Sequence, residues 1–148
     1  MPLLMSNTAG NGFRCELGNL ATKTRQGKDF MSVPEGARML PPVFLKDVSD
    51  KTQVAALSSD ARLLVFPMDE LPARPNGGVG VQIMALPDKV TLAAVAPTDG
   101  RSLVVSGVKR KNRAEETLDA KMLKEFEGKR AQRGRVCDVD FRPDRLGS

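Results

Sequence analysis

Apolar positions in this chain gather in short runs separated by glycine and proline. The clearest case lies within Arg62 to Leu86. There the apolar run Leu63 to Phe66 precedes a proline turn, a one-turn segment from Met68 to Leu71, a glycine cluster and a second apolar run, Val81 to Leu86. Short apolar runs bounded by turn residues are typical of strands. The pattern predicts a strand, turn, glycine loop and strand.

Similar runs predict strands elsewhere, and one segment has a helical pattern. The predicted strands are Phe13 to Leu17, Phe30 to Val33, Val43 to Leu45, Gln53 to Leu57, Lys89 to Ala96, Leu103 to Val105 and Val136 to Phe141. The predicted helix spans residues 119–126, with Asp119 as its N-cap and Gly128 near its end. Its apolar face would hold Leu118, Met122, Leu123 and Phe126.

These elements recur at intervals of about fifty residues. An offset of 51 superposes Phe13 on Leu64 and Cys15 on Phe66, whereas Gly134 follows Gly80 by 54 positions. A period of this length with several short strands per unit is typical of radial β-propeller repetition. We therefore predict an all-β fold in one domain, residues 1–148, with about three blades near 3–45, 53–96 and 101–141. An ordinary β-sandwich is the alternative.

Composition argues against catalysis. Hydrophobic residues make up 41% of the chain, which is enough for a core, and neither a bilayer-spanning run nor a signal-peptide pattern is present. The chain has no His, Tyr or Trp, so Ser-His-Asp, Cys-His and tyrosine-nucleophile centres are excluded. Cys15 and Cys137 are far apart and predict reduced, buried thiols rather than a zinc site or a disulfide. We expect no catalytic residue, no metal site and no cofactor in this chain.

Positive charge is concentrated in the last third of the sequence. Residues 1–100 carry equal numbers of basic and acidic side chains, so the formal net charge of +5 arises within residues 101–148. This asymmetry favours a polyanionic partner, although a solvated basic face is an equal alternative. Glycine-rich loops let backbone amides approach an anion, and neighbouring Lys and Arg bind phosphate. The candidate DNA-binding residues are Lys109, Arg110, Lys111, Arg113, Lys129, Arg130, Arg133 and Arg135, followed by Lys23, Arg25, Lys28, Arg38 and Arg74.

Several of these stretches resemble one family. LLVFPMDELP with NGGVGVQIMALP resembles the blade repeat of the C-terminal domains of type IIA bacterial topoisomerase A subunits, and the topoisomerase IV branch is the most similar. The N-terminal stretch LLMSNTAGNGFRCELGNLATKTRQGKDFMSVPEGARMLPPV, and later VKRKN and GKRAQRGRV, resemble the same domains. The gyrase wrapping box, Gln-Arg-Arg-Gly-Gly-Lys-Gly, is not intact. Its nearest counterparts are 132–135 and 77–80, which puts strong chiral wrapping in doubt.

The resemblance implies a β-pinwheel, in which four-stranded antiparallel blades exchange strands with their neighbours. It also implies a non-catalytic module that binds and bends duplex DNA and steers the topology preference of a parent enzyme. That enzyme would be an ATP-dependent topoisomerase, with ATP and Mg²⁺ bound elsewhere. The other implied partners are the B subunit of that enzyme and the N-terminal cleavage region of its A subunit. Cytoplasmic, nucleoid-associated localisation and no membrane partner follow.

Three further interpretations differ in the predicted partner or in how the DNA is held. A gyrase-type wrapping domain is the first alternative, and a propeller that docks an acidic protein is the second. Single-stranded nucleic acid is disfavoured, because such sites stack bases on aromatic side chains and the phenylalanines here fall mostly at inward strand positions. With about three blades, unpaired strand edges would also invite self-association.

Overall fold

A computed structural model describes residues 2–16, 33–45, 49, 51–74 and 78–147. In those ranges the chain forms eleven strands, one 3-10 turn and one short helix. The strands are β1 (Pro2–Ser6), β2 (Asn11–Glu16), β3 (Val43–Phe44), β4 (Gln53–Ser58), β5 (Arg62–Pro67), β6 (Val81–Gln82), β7 (Leu92–Thr98), β8 (Ser102–Lys109), β9 (Asn112–Asp119), β10 (Arg135–Val136) and β11 (Arg142–Gly147). The 3-10 turn spans Met68–Glu70, and helix α1 spans Ala120–Lys124.

The strands form three antiparallel sheets, which confirms the predicted all-β class. Sheet 1 has the order β3-β1-β2-β6, sheet 2 has the order β10-β5-β4-β7, and sheet 3 has the order β11-β8-β9. Each sheet is built on a hairpin: β1–β2, β4–β5 and β8–β9. Among the described residues no named strand pairs with the outer edge of β9.

Neighbouring repeats exchange strands. Strand β6 follows β5 in the chain but pairs with β2, and β10 follows β9 but pairs with β5. A glycine with positive φ precedes each exchanged strand: Gly80 at +83° and Gly134 at +79°. A Cβ on Gly80 would lie 2.6 Å from the Gly12 carbonyl oxygen, and one on Gly134 would lie 2.7 Å from that of Leu63. Only glycine fits here, because the backbones approach so closely.

The repeat extends to individual hydrogen bonds. Arg14 in β2 and Val65 in β5 are 51 positions apart and make the same pair of bonds. The Arg14 amide donates to the Pro72 carbonyl (2.9 Å), and its carbonyl accepts from the Arg74 amide (2.7 Å). Val65 bonds likewise to Phe126 (2.9 Å) and Gly128 (2.8 Å). The β1–β2 and β4–β5 hairpins are therefore each bound by the segment that follows the next helical turn.

Apolar side chains fill the spaces between the sheets. One cluster, which includes Leu4, Phe66 and Ile83, lies between sheets 1 and 2. A second cluster, which includes Val65, Leu103 and Leu123, lies between sheets 2 and 3. A third packs Leu3, Met5, Phe13 and Cys15 on the other face of sheet 1. Burying a large apolar side chain contributes about 1.5–3 kcal/mol, so the first two clusters hold neighbouring sheets together.

Several predicted elements are confirmed. Strands β2, β3, β4 and β5, the helical turn at Met68 and the Asp119 N-cap lie where the pattern placed them. The Asp119 Oδ1 accepts from the Met122 amide at 2.9 Å. The predicted strand at 30–33 falls largely outside the described residues, as does Leu17.

Other boundaries were wrong. The segment Val81 to Leu86 is a strand only at its first two residues, because Ile83 and Met84 turn into the core. Strand β7 starts at Leu92 and not at Lys89. Helix α1 ends at Lys124, and Met122 on its supposed apolar face is 43% exposed. Within 136–141 only Val136 belongs to a strand, as the second residue of β10, and the next strand, β11, begins at Arg142.

Candidate nucleic-acid interface

The turn between β8 and β9 presents two cations. Arg110 (φ 49°) and Lys111 (φ 71°) both lie in the left-handed region, as the two central residues of a type I′ hairpin turn do. Asn and Gly are usual at such positions, because they tolerate positive φ. Both side chains are exposed, and neither forms an ion pair within the described part of the chain. The fold therefore places two unpaired cations at one tip.

Cations on either side of this turn are paired with carboxylates. The Lys109 Nζ donates to Asp140 Oδ2 at 2.6 Å. The Arg113 guanidinium binds both oxygens of Asp144, at 3.1 and 3.0 Å. The hydrogen bond from Arg113 holds the pKa of the Asp144 carboxyl below its usual value, so the pair stays charged at neutral pH. A phosphate can therefore bind Lys109 or Arg113 only by displacing the carboxylate that is paired with it.

Strand β11 adds two arginines that the sequence analysis did not select. Arg142 pairs with Val108 and Arg145 with Ser106 in the register of β11 on β8, and both side chains are exposed. A cavity of about 370 Å³ lies beside Arg145; its lining is Ser106, Arg113, Ala114, Glu115 and Arg145. The excess of basic residues after position 100 pointed to Arg142 and Arg145, but the sequence pattern of residues 142–147 did not predict a strand that would place them. Sheet 3 thus brings together more basic residues than predicted.

The second predicted basic segment, 128–135, is bound to the fold. The Arg130 amide donates to Glu70 Oε1 (2.7 Å), and its guanidinium donates to the Gln82 carbonyl (2.8 Å). Arg133 forms an ion pair with Asp60 in the β4–β5 turn. Hydrogen bonding from Arg133 holds the pKa of Asp60 below its usual value. Arg130 thus binds the 3-10 turn and β6 of sheet 1, and Arg133 binds the β4–β5 turn of sheet 2.

The remaining candidates are scattered. Lys129, in the loop before β10, and Arg135, in β10, have exposed side chains. Arg38 and Arg74 are exposed in other loops, at the first sheet. The candidates Lys23, Arg25 and Lys28 lie outside the described residues. Of the thirteen predicted residues, the structure brings the four from 109 to 113 into one hairpin.

Both cysteines are buried and free of disulfide bonds. Burial raises the pKa of the Cys15 thiol and of the Cys137 thiol to about 11, so both stay protonated at neutral pH. This confirms the prediction of buried thiols. In the described ranges no group of three or more His, Cys, Asp or Glu residues is placed to hold a metal ion. None of the helices described there is long and apolar enough to cross a bilayer.

Comparison with known proteins identifies related sequences and folds. Residues 52–99 match the family model described as the DNA gyrase C-terminal domain, β-propeller. The chain is 31% identical to the A subunit of DNA topoisomerase 4 from Escherichia coli K12 over 153 aligned residues, covering 97% of this chain and 19% of that protein. It therefore spans about a fifth of the length of that relative.

Solved structures give the same result. The structure of the E. coli ParC C-terminal domain superposes with a TM-score of 0.81 at 28% identity, covering 99% of this chain and 59% of that one. A DNA gyrase A C-terminal domain superposes with a TM-score of 0.71 at 16% identity, covering 96% and 46% respectively, which is a likeness of fold. The predicted β-propeller class and the family resemblance are confirmed.

Proposed function

We propose that this chain, which belongs to the family of β-propeller C-terminal domains of topoisomerase IV and gyrase A subunits, is a non-catalytic module that binds duplex DNA through its phosphates. The observation that carries the proposal is the basic tip of sheet 3, where Arg110 and Lys111 are exposed and form no ion pair within the described residues, and where Arg142 pairs in register with Val108, two residues before the turn. Cations on a rigid hairpin can contact phosphate without reading base edges. Binding is therefore weakly sequence-specific.

Within a parent enzyme the module would hold a DNA segment in a bent path and so steer the choice of crossings in decatenation and supercoil relaxation. We propose topoisomerase IV as that parent, with the other regions of that enzyme as partners, ATP and Mg²⁺ bound elsewhere, and a cytoplasmic, nucleoid-associated location. Strong wrapping of the gyrase type is disfavoured, because residues 132–135, one of the two counterparts of the wrapping box, are bound to sheet 2. Among these residues, Arg133 pairs with Asp60, and Gly134 packs against Leu63.

The test is a titration of duplex DNA with the chain at several salt concentrations. Counterion release predicts that log K falls with log salt by about 0.9 for each phosphate neutralised. The variant Arg110→Ala/Lys111→Ala should lower that slope by about 2 and weaken binding about tenfold or more near 0.1 M salt. The matched control is Lys121→Ala/Lys124→Ala, which removes two exposed cations from α1. It should leave binding within about threefold.

Two outcomes would overturn the proposal. A salt-independent affinity would rule out phosphate binding. Equal losses in the tip variant and the α1 control would show only a general effect of charge. Competition with single-stranded DNA separates duplex binding from the stacking mode of single-strand sites. Recovery of a protein partner that persists after nuclease treatment, with no DNA affinity, would favour a protein-docking propeller.

A further inference from the structure

Two carboxylates lie against the basic tip of sheet 3. Asp140 contacts Lys109, and Asp144 contacts Arg113, so that a carboxylate lies on each side of the free turn. Both pairs span 31 residues: Asp140, which precedes β11, contacts Lys109 at the end of β8, and Asp144, within β11, contacts Arg113 of β9 on the other side of β8. The fold thus places two negative charges within the surface proposed to bind DNA.

Stability does not account for these pairs. Their side chains are 45–79% exposed, and surface ion pairs typically contribute about 0–1 kcal/mol. The pairs bear more directly on anion binding, because they involve the donors that a phosphate would use. The contact with Asp144 occupies donors on both terminal nitrogens of Arg113, the same fork that would bind a phosphate. Each aspartate also repels an approaching phosphate.

We propose that Asp140 and Asp144 limit the affinity of this surface for DNA by occupying Lys109 and Arg113. This inference rests on the proposed function. DNA then contacts the unpaired turn first, and the two flanking cations engage only when phosphate displaces their carboxylates. The native surface therefore neutralises fewer phosphates than its number of cations allows.

The test compares Asp140→Asn and Asp144→Asn with Asp138→Asn. Asp138 is exposed, lies in the same segment and forms no ion pair within the described ranges, so its substitution makes the same charge change without releasing a cation. Each released cation should steepen the salt slope by about 0.9, which corresponds to about eightfold tighter duplex binding at 0.1 M salt. The control should change the affinity less than about twofold.

A double-mutant cycle identifies the released cation. In the Lys109→Ala background the gain from Asp140→Asn should fall to that of the Asp138→Asn control, since no cation remains there to be freed and only the change in charge acts. Wild-type binding with equal gains in all three Asn variants would refute the inference and leave the proposed function intact. The same holds if the gain persists without Lys109. If neither the wild-type chain nor any variant binds duplex DNA, both proposals fail.

Discussion

Substitution of Gly134 by alanine tests the strand exchange. Gly134 has φ +79°, and a Cβ there would lie 2.7 Å from the Leu63 carbonyl oxygen and 2.9 Å from the Met84 Cε. The first contact is with backbone, so it can be relieved only by moving β10 away from β5. Gly36 is a matched control, because its φ is +84° and nothing lies within 4 Å of its Cβ position.

Gly36→Ala and Gly134→Ala share a conformational cost, but only Gly134→Ala has a steric cost as well. A left-handed conformation costs a non-glycine residue about 1–2 kcal/mol, and this applies to both variants. Crowding at a packed position adds about 1–3 kcal/mol, and this applies only to Gly134→Ala. We expect Gly36→Ala to lose about 1–2 kcal/mol of unfolding free energy and Gly134→Ala to lose about 2–5 kcal/mol.

Urea unfolding followed by far-UV circular dichroism measures both values, because the signal reports the sheets and the chain has no tryptophan. The free energy in water comes from linear extrapolation, and the slope m should stay constant if the cost lies in the folded state. Equal losses within about 0.5 kcal/mol would refute the close approach of β10 and β5 at this glycine.

Two further predictions concern aspartates. Asp119→Ala removes the N-cap of α1 and should cost about 1 kcal/mol by the same urea assay, whereas Asp119→Asn should recover most of it; equal losses would exclude capping. Asp60→Asn should cost less than about 1 kcal/mol at pH 7, because its pair with Arg133 is partly exposed. Since folding lowers the pKa of Asp60, its contribution is present above the unfolded pKa, near 4, and is lost as pH falls further. A stability difference from wild type that persists unchanged at pH 2 would contradict this assignment.

The parts of the fold that depend on glycine and on apolar runs could be predicted from the sequence. Gly80 and Gly134 are recognisable because each must adopt positive φ where two backbones meet, so the residue type is dictated by geometry. Strands β4 and β5 are buried on both faces and read as continuous apolar runs. Glycines and apolar runs are local features of the sequence, and their spacing gives the period of the repeat.

Strand β9 could not be predicted in this way. Leu118 is its one buried residue, so it has neither an apolar run nor an alternating pattern. It is a strand because eight of its residues pair with β8 beside it. This pairing depends on the neighbouring strand and leaves no pattern in the sequence of β9 itself. The exchanged strands β6 and β10 have two residues each, which is too short for a period of two to be visible.

Basic segments with the same sequence character have different roles in the fold. Residues 109–113 and 129–135 both read as cations near turns, and charge alone ranks them equally. What separates them is the acceptor that the fold brings to each one. Arg130 and Arg133 meet Glu70, Gln82 and Asp60 from the preceding repeat and join the sheets.

Arg110 and Lys111 meet no such acceptor in the described part of the chain, because their turn extends past the last cross-strand pair of sheet 3. The distance in sequence between a cation and its carboxylate explains why this distinction is invisible to pattern analysis. Asp60 lies 73 residues from Arg133, and Asp140 lies 31 residues from Lys109. Free positive charge in this chain is thus a property of the assembled sheets, and it should be measured by pairwise substitution rather than counted from composition.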